Sequence, residues 1–346
     1  MRRRRIVLCG FGRVGQAFTT LLAERVAEIE TRYGLHLELT AAVDIGGAAV
    51  ASQGGLPLLP LLSHVREGGT VETFAGFGRP GMTGLEVMQE IPADVLVEAT
   101  PTNLSDGEPG RTHLLGALEQ GMDVVSANKG PLVLYYREIH ELARRQGCGV
   151  YISAATAAAL PTVDVGEVCL AGSHILAIEG ILNGTTNYIL SRMQSEGCTY
   201  EVALKAAQEQ GIAETDPRLD VEGWDTANKL ILIANRIWGT AFGPQDVTVE
   251  GITALTVEEI ASAKQRGEVV KLIGRAEGGE GRHRLSVAPR LLEETHPLAA
   301  VHGSEKAISY LTDTMDRITV IGGRSSPLGA GAALLKDLIN ASRHKT

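Results

Sequence analysis

The sequence predicts an α/β chain of two domains, a parallel-sheet domain followed by an α+β domain, with the last stretch returning to the first. Three observations carry that reading. Between residues 5 and 154, strand-length apolar runs alternate with segments whose apolar residues recur at helical spacing; from Ile175 helices are followed by a hairpin; and strand Arg317 to Ile321 with helix Leu328 to Asn340 restores the first pattern. The domains are expected at residues 1–154, 155–312 and 313–346. A chain of 346 residues, 44% hydrophobic and 21% charged, is long enough for two packed cores.

A net charge of −9 argues against a nucleic-acid partner, which needs a basic face to displace counterions. Arg2 to Arg5 form the one basic run. Only Ile6 to Cys9 follow before glycine and arginine intervene, too short for a signal peptide or a membrane anchor, so a frayed, soluble N-terminus is expected. The 4 cysteines lie far apart, with no CxxC pair and no histidine at ligand spacing, so neither a disulfide framework nor a metal site is expected. Reduced cysteines and an acidic balance point to the cytoplasm.

Taken in order, strand Arg5 to Cys9 runs into Gly10-Phe11-Gly12-Arg13-Val14-Gly15, after which Val14, Ala17, Phe18, Leu21 and Leu22 mark a helix face. Strand, glycine turn and helix form a Rossmann-type dinucleotide-binding domain. Gly10 permits the turn, Gly12 lets backbone amides approach a pyrophosphate, and Gly15 lets helix and strand pack closely. A second strand from Leu35 ends at Asp44, which can hydrogen-bond an adenosine ribose, while Arg13 can meet a ribose phosphate. Asp44 points to NAD and Arg13 to NADP, and the sequence leaves the choice open.

Residues 46–92, with helices near Leu56 to Arg66 and Leu85 to Glu90, read as surface elaboration. Strand Asp94 to Ala99, helix Arg111 to Gln120, strand Asp123 to Ala127, helix Leu132 to Arg145 and strand Gly149 to Ala154 then complete the sheet. Ligands of such sheets sit at the carboxyl ends of the strands, which places Thr100 and Lys129 in the cofactor crevice.

In the second domain, strand Ile175 to Leu182 enters Asn183-Gly184-Thr185-Thr186-Asn187, where Asn183 and Thr185 suit a helix N-terminus and an anionic carboxylate. Gly211 to Lys229 crowds Glu214, Asp216, Asp220, Glu222, Asp225 and Lys229 together and reads as the substrate site. The helix from Trp224 buries Ala227, Leu230, Ile231, Ala234 and Ile237, with Asp225 and Lys229 four apart on its other face. Its polar-poor neighbourhood around Leu230 reads as a dimer interface in a homodimer or homotetramer. Val269 to Ala276 and Arg284 to Arg290 flank a glycine-rich turn and read as a hairpin.

Four pieces in order, GFGRVG, SANKGPL at Ser126 to Leu132, GILNGTTNYIL at Gly180 to Leu190, and the Gly211 to Lys229 segment as G-x-x-E-x-D-P-x-x-D-x-x-G-x-D-x-x-x-K, resemble the homoserine dehydrogenase family. The resemblance implies that Lys229 and Asp225 serve proton transfer and that Glu214 and Asp225 hold the amino acid. It further implies that Lys129 lies beside nicotinamide and substrate, and that the Gly211 backbone lies near the cofactor. The implied reaction is reversible, NAD(P)-dependent reduction of aspartate 4-semialdehyde to homoserine, a step toward threonine and methionine. A lysine acid at neutral pH calls for a lowered pKa, from burial or from Lys129 and Lys229 acting on one another.

Two stretches depart from the family pattern. Ser153 stands where the family commonly has a glutamate near a monovalent cation, so no metal is carried across, and Ser153 to Pro161, with alanine where glycine is usual, replace a glycine-rich loop, which puts a penalty on any residue there that needs positive φ. Near the end, GGRSS replaces GxGAG and leaves Gly322 as the match for a cofactor contact. A monofunctional chain is expected. The altered loop keeps open a related oxidoreductase for another small amino or hydroxy acid, and a non-catalytic nucleotide-binding sensor is the third alternative.

Overall fold

A computed structural model describes residues 1–279 and 282–344. They form two compact units, Met1–Ala158 with Ser326–Thr346, and Ala159–Ser325.

The first unit is built on β1 (Arg2–Cys9), β2 (Leu35–Asp44), β3 (Gly47–Val50), β4 (Gly78–Pro80), β5 (Val95–Glu98), β6 (Asp123–Ser126) and β7 (Val150–Tyr151), in the order β4-β3-β2-β1-β5-β6-β7. Strands β2, β1, β5, β6 and β7 are parallel; β3 and β4 extend the sheet antiparallel. Ile6 to Cys9 are wholly buried, as a strand covered on both faces requires. Helix Arg13–Tyr33 supplies Phe18, Leu21, Leu22 and Ile29 to the core, and helix Pro327–His344 lays Leu334, Leu335 and Leu338 into the same cluster.

Four expectations need correction in this unit. The arginine run is strand, not a frayed end. Arg2 Nη1 donates to the Ser342 carbonyl at 2.8 Å, Arg3 pairs with Glu38, Arg4 pairs with Asp123 at 2.6 Å, and Arg5 pairs with Asp94 at 3.0 Å. Parallel pairing brings the acids at the starts of β5 and β6 alongside.

Residues 46–92 are also more than surface elaboration, because they contribute β3, β4 and the buried Leu61, Leu62 and Val71. The helix expected from Leu132 to Arg145 is two, Lys129–Leu134 and Tyr136–Gln146, divided at Tyr135. Strand Gly149 to Ala154 shortens to β7, because the Ser153 amide and hydroxyl donate to the Asp337 carboxylate at 2.9 and 2.8 Å and a helical turn, Ser153–Thr156, begins. Among the loop alanines, Ala158 has φ +54°, the left-handed region in which a methyl group is strained.

The second unit holds β8 (Ile175–Ile181), β9 (Val247–Val249), β10 (Glu268–Gly279), β11 (Arg282–Glu293), β12 (Lys306–Thr312) and β13 (Arg317–Gly322), in the order β13-β12-β8-β10-β11-β9. Strands β10 and β11 are the expected hairpin, with its tip at 280–281 outside the described residues. The strand expected to rejoin the nucleotide domain, Arg317 to Ile321, belongs here instead. A tight turn, in which the Thr312 amide donates to the Asp316 carbonyl at 2.8 Å, folds β13 back on β12.

Helix Trp224–Trp238 packs against this unit's sheet, and Leu230 to Ala234 are wholly buried within the one chain. That apolar face is already covered, so it is not available to a second copy.

Candidate active site

In the second unit the site begins at a helix cap. Asn183, 5% exposed, precedes helix Gly184–Glu196; its side-chain oxygen accepts from the Thr186 amide at 2.9 Å. The same side chain's Nδ2 donates to Asp220 Oδ1 at 2.7 Å and Asp225 Oδ2 at 2.8 Å. Asp225 and Lys229 stand one helical turn apart on helix Trp224–Trp238. Lys229 Nζ donates to Asp225 Oδ2 at 2.5 Å and to the Leu182 carbonyl at 2.9 Å.

Both side chains are only 11% exposed, so this is not the solvated pair that spacing alone suggests. Thr185 Oγ1 donates to the Ile212 carbonyl at 3.1 Å, tying the cap to the Gly211 segment. Burial, and after it the charge of Asp225, pushes the Asp220 carboxyl above its ordinary value. Asp220 and Asp225 thus share the Asn183 amide donor, and the Lys229 ammonium sits on Asp225.

Asp220 is the residue that sequence reasoning left without a role. Its signal was present, as the second aspartate of the acidic motif. The structure does not bring Glu214 into the cluster; it lies on an exposed stretch, as does Gly211. Asp216 turns to Arg218, and that exposed pair, led by the Arg218 hydrogen bond, holds the Asp216 carboxyl at about 2.

In the first unit Gly12 caps helix Arg13–Tyr33 with no side-chain acceptor, so the first-turn amides remain for an anion. A Cβ at Gly10 (φ +92°) would lie 2.5 Å from the Ala99 carbonyl carbon, and one at Gly15 would lie 2.1 Å from the Gly10 oxygen. Neither position admits a side chain. Phe11 is buried, Val14 is half-buried, and Arg13 and Asp44 are exposed.

Thr100 follows β5, and its amide donates to Glu98 Oε1 at 2.9 Å. Asn128 caps the helix that opens with Lys129. Gly322 ends β13, and a Cβ there would meet nothing; the tight position is Gly323, where a Cβ would lie 2.6 Å from the Leu160 amide.

A glycine turn whose amides await an anion, and an ammonium set against a buried carboxylate, are the equipment of an NAD(P)-dependent oxidoreductase. A family model described as "Homoserine dehydrogenase, NAD binding domain" matches residues 10–153, and one described as "Homoserine dehydrogenase" matches residues 161–339. The chain belongs to the homoserine dehydrogenase family, oxidoreductases that act on a CH–OH group.

The homoserine dehydrogenase of Methanocaldococcus jannaschii is 39% identical over 335 residues, covering 97% of each chain. The NAD(+)-dependent homoserine dehydrogenase of Pseudomonas canavaninivorans is 34% identical over 347 residues, covering 100% of this chain and 98% of the relative. The crystal structure of a putative homoserine dehydrogenase from Archaeoglobus fulgidus matches with a TM-score of 0.87 at 36% identity, covering 97% of this chain and 98% of that one. No described helix is long and apolar enough to cross a membrane.

Proposed function

We propose that the chain interconverts L-aspartate 4-semialdehyde and L-homoserine with NAD or NADP, and that Lys229 gives the aldehyde oxygen its proton. The observation that supports this role is the Lys229 ammonium, 11% exposed and fixed by Asp225 Oδ2 and the Leu182 carbonyl. The glycine turn fits a dinucleotide: its amides lack a side-chain acceptor, and Gly10 and Gly15 leave no room for a Cβ.

The nicotinamide, when bound, supplies the hydride. As negative charge develops on the aldehyde oxygen, Lys229 Nζ would give it a proton, and the neutral lysine would recover one from solvent. Run backward, neutral Lys229 removes the alcohol proton. Asp225 orients the amine throughout.

Asp220, with Asp225, is assigned to the substrate ammonium, and Asn183 and Thr185 at the helix N-terminus to its carboxylate. Lys129 is assigned beside nicotinamide and substrate. Gly10 to Gly15, Thr100, Gly211 and Gly322 are assigned to the dinucleotide, and the exposed Asp44 and Arg13 set the preference between NAD and NADP. A homodimer or homotetramer is supported by β13, an edge strand with Ile318 and Ile321 exposed.

Lys229→Ala is the test. Loss of cofactor oxidation with aspartate semialdehyde by about 100-fold or more, with dinucleotide affinity retained, is expected. Wild-type turnover in that variant removes Lys229 from the chemistry.

A further inference from the structure

The first unit contains a buried line of side chains that the chemistry above does not use. Glu98, 0% exposed, closes β5. Its Oε2 accepts from His113 Nδ1 at 2.8 Å, and its Oε1 accepts both the amide of Thr100 and, at short range, the Thr100 hydroxyl. Thr100 Oγ1 in turn accepts from Asn128 Nδ2 at 3.0 Å, and Asn128 Oδ1 accepts from the Gly130 amide at 3.0 Å.

At the other end His113 Nε2 adjoins the thiol of Cys9, the last residue of β1. A Cβ on Gly84 would lie 2.6 Å from Nε2 and 3.0 Å from Sγ, so helix Gly84–Glu90 closes over both atoms. The line Cys9–His113–Glu98–Thr100–Asn128 therefore crosses the carboxyl ends of three neighbouring strands, β1, β5 and β6.

Burial of a carboxylate at the end of an apolar strand is costly unless each oxygen is engaged, and here each is. Burial alone lowers the His113 pKa, but the Cys9 and Glu98 contacts outweigh it and raise it. Burial pushes the Cys9 thiol pKa up.

Cys9, Glu98 and His113 are also a possible ligand set for a metal, their donor atoms lying within 4.8 Å of one another. The two ring nitrogens, however, serve different partners on opposite edges of the imidazole.

We propose that Cys9, His113 and Glu98 are positioning residues that hold Thr100 and the capped start of the Lys129 helix in place for the dinucleotide. The proposal rests on Thr100 and Lys129 belonging to the cofactor site, but not on the role of Lys229. Its test is dinucleotide affinity, read by fluorescence titration of NADPH and NADH without substrate.

His113→Asn and Glu98→Gln are expected to weaken dinucleotide binding about 10-fold. Thr100→Val is expected to do the same, and His113→Asn to add nothing further in the Thr100→Val background, because both act through one contact. Unchanged affinity in folded His113→Asn or Glu98→Gln, no effect of Thr100→Val, or losses that multiply in the double variant overturns the proposal. So does a lowered melting temperature without loss of affinity, which marks a purely structural role. One metal ion per purified chain, absent from Cys9→Ala, replaces the relay by a metal site. Failure of the Lys229 assignment leaves these affinities unaltered, so the two readings fail separately.

Discussion

Asp220 is where burial and binding pull in opposite directions. Its folded pKa lies above the unfolded one, so the folded state holds that proton more tightly in acid and loses the advantage as pH rises through the folded pKa. Asp220→Asn should therefore melt at a higher temperature than wild type at pH 7, the difference fading in acid. Its KM for aspartate semialdehyde should rise roughly 10-fold, the cost of a charged hydrogen bond to the substrate ammonium.

Lys271 is the mirror case. It is 1% exposed, donates to Asn187 Oδ1 at 3.0 Å and to the Val301 carbonyl, and burial lowers its pKa to about 8. Between about pH 8 and the ordinary lysine value the unfolded chain binds more protons than the folded one, so stability from this group rises with pH in that window. Lys271→Met should flatten the rise in denaturant melts taken across it.

At the level of single elements, β1 shows how a strand beginning with four arginines is kept in a sheet. Only one of the pairs lies deep: Arg4 and Asp123, whose side chains are 10% and 1% exposed, against 55% for Arg3 beside Glu38. Breaking a buried pair strands a charge, so Arg4→Ala should cost about 3 kcal/mol or more in urea melts. Arg3→Ala should cost about 0.5 kcal/mol or less. Equal losses would show that the buried pair has no special weight.

Helix Trp224–Trp238 obeys the same logic on its functional edge. An ion pair at helical spacing is worth little in water, yet here it is buried against the Leu182 carbonyl, where its geometry is held.

Across the whole molecule, what could be read from the sequence was whatever is local along the chain. Strand, glycine turn and helix lie within residues 5–33, and the Asn183 cap and the Asp225–Lys229 pair are each contained in one helix turn. What escaped depends on partners distant in sequence. The arginines of β1 read as a solvated charge run because Glu38, Asp94, Asp123 and Ser342 come 35 to 340 residues later. Glu98 and His113 carry no signal in the sequence, because their partners, each other and Cys9, meet only in the folded sheet. Strand β13 misled because strand-then-helix is the signature of the nucleotide unit, whereas a four-residue turn folds that strand onto its neighbour instead.

The packing of helix Pro327–His344 onto helix Arg13–Tyr33 carries a consequence for biosynthesis. The ribosome makes residues 159–325 before the piece that completes the nucleotide unit exists, so that unit waits half-built while its neighbour can already form. Chains truncated at Ser325 and freed from the ribosome should be cleaved by protease within residues 1–158 and resist it within the later segment, whereas release of a chain that carries helix Pro327–His344 should protect both. Equal protection before and after that release would mean the last helix arrives as an ornament on a finished domain.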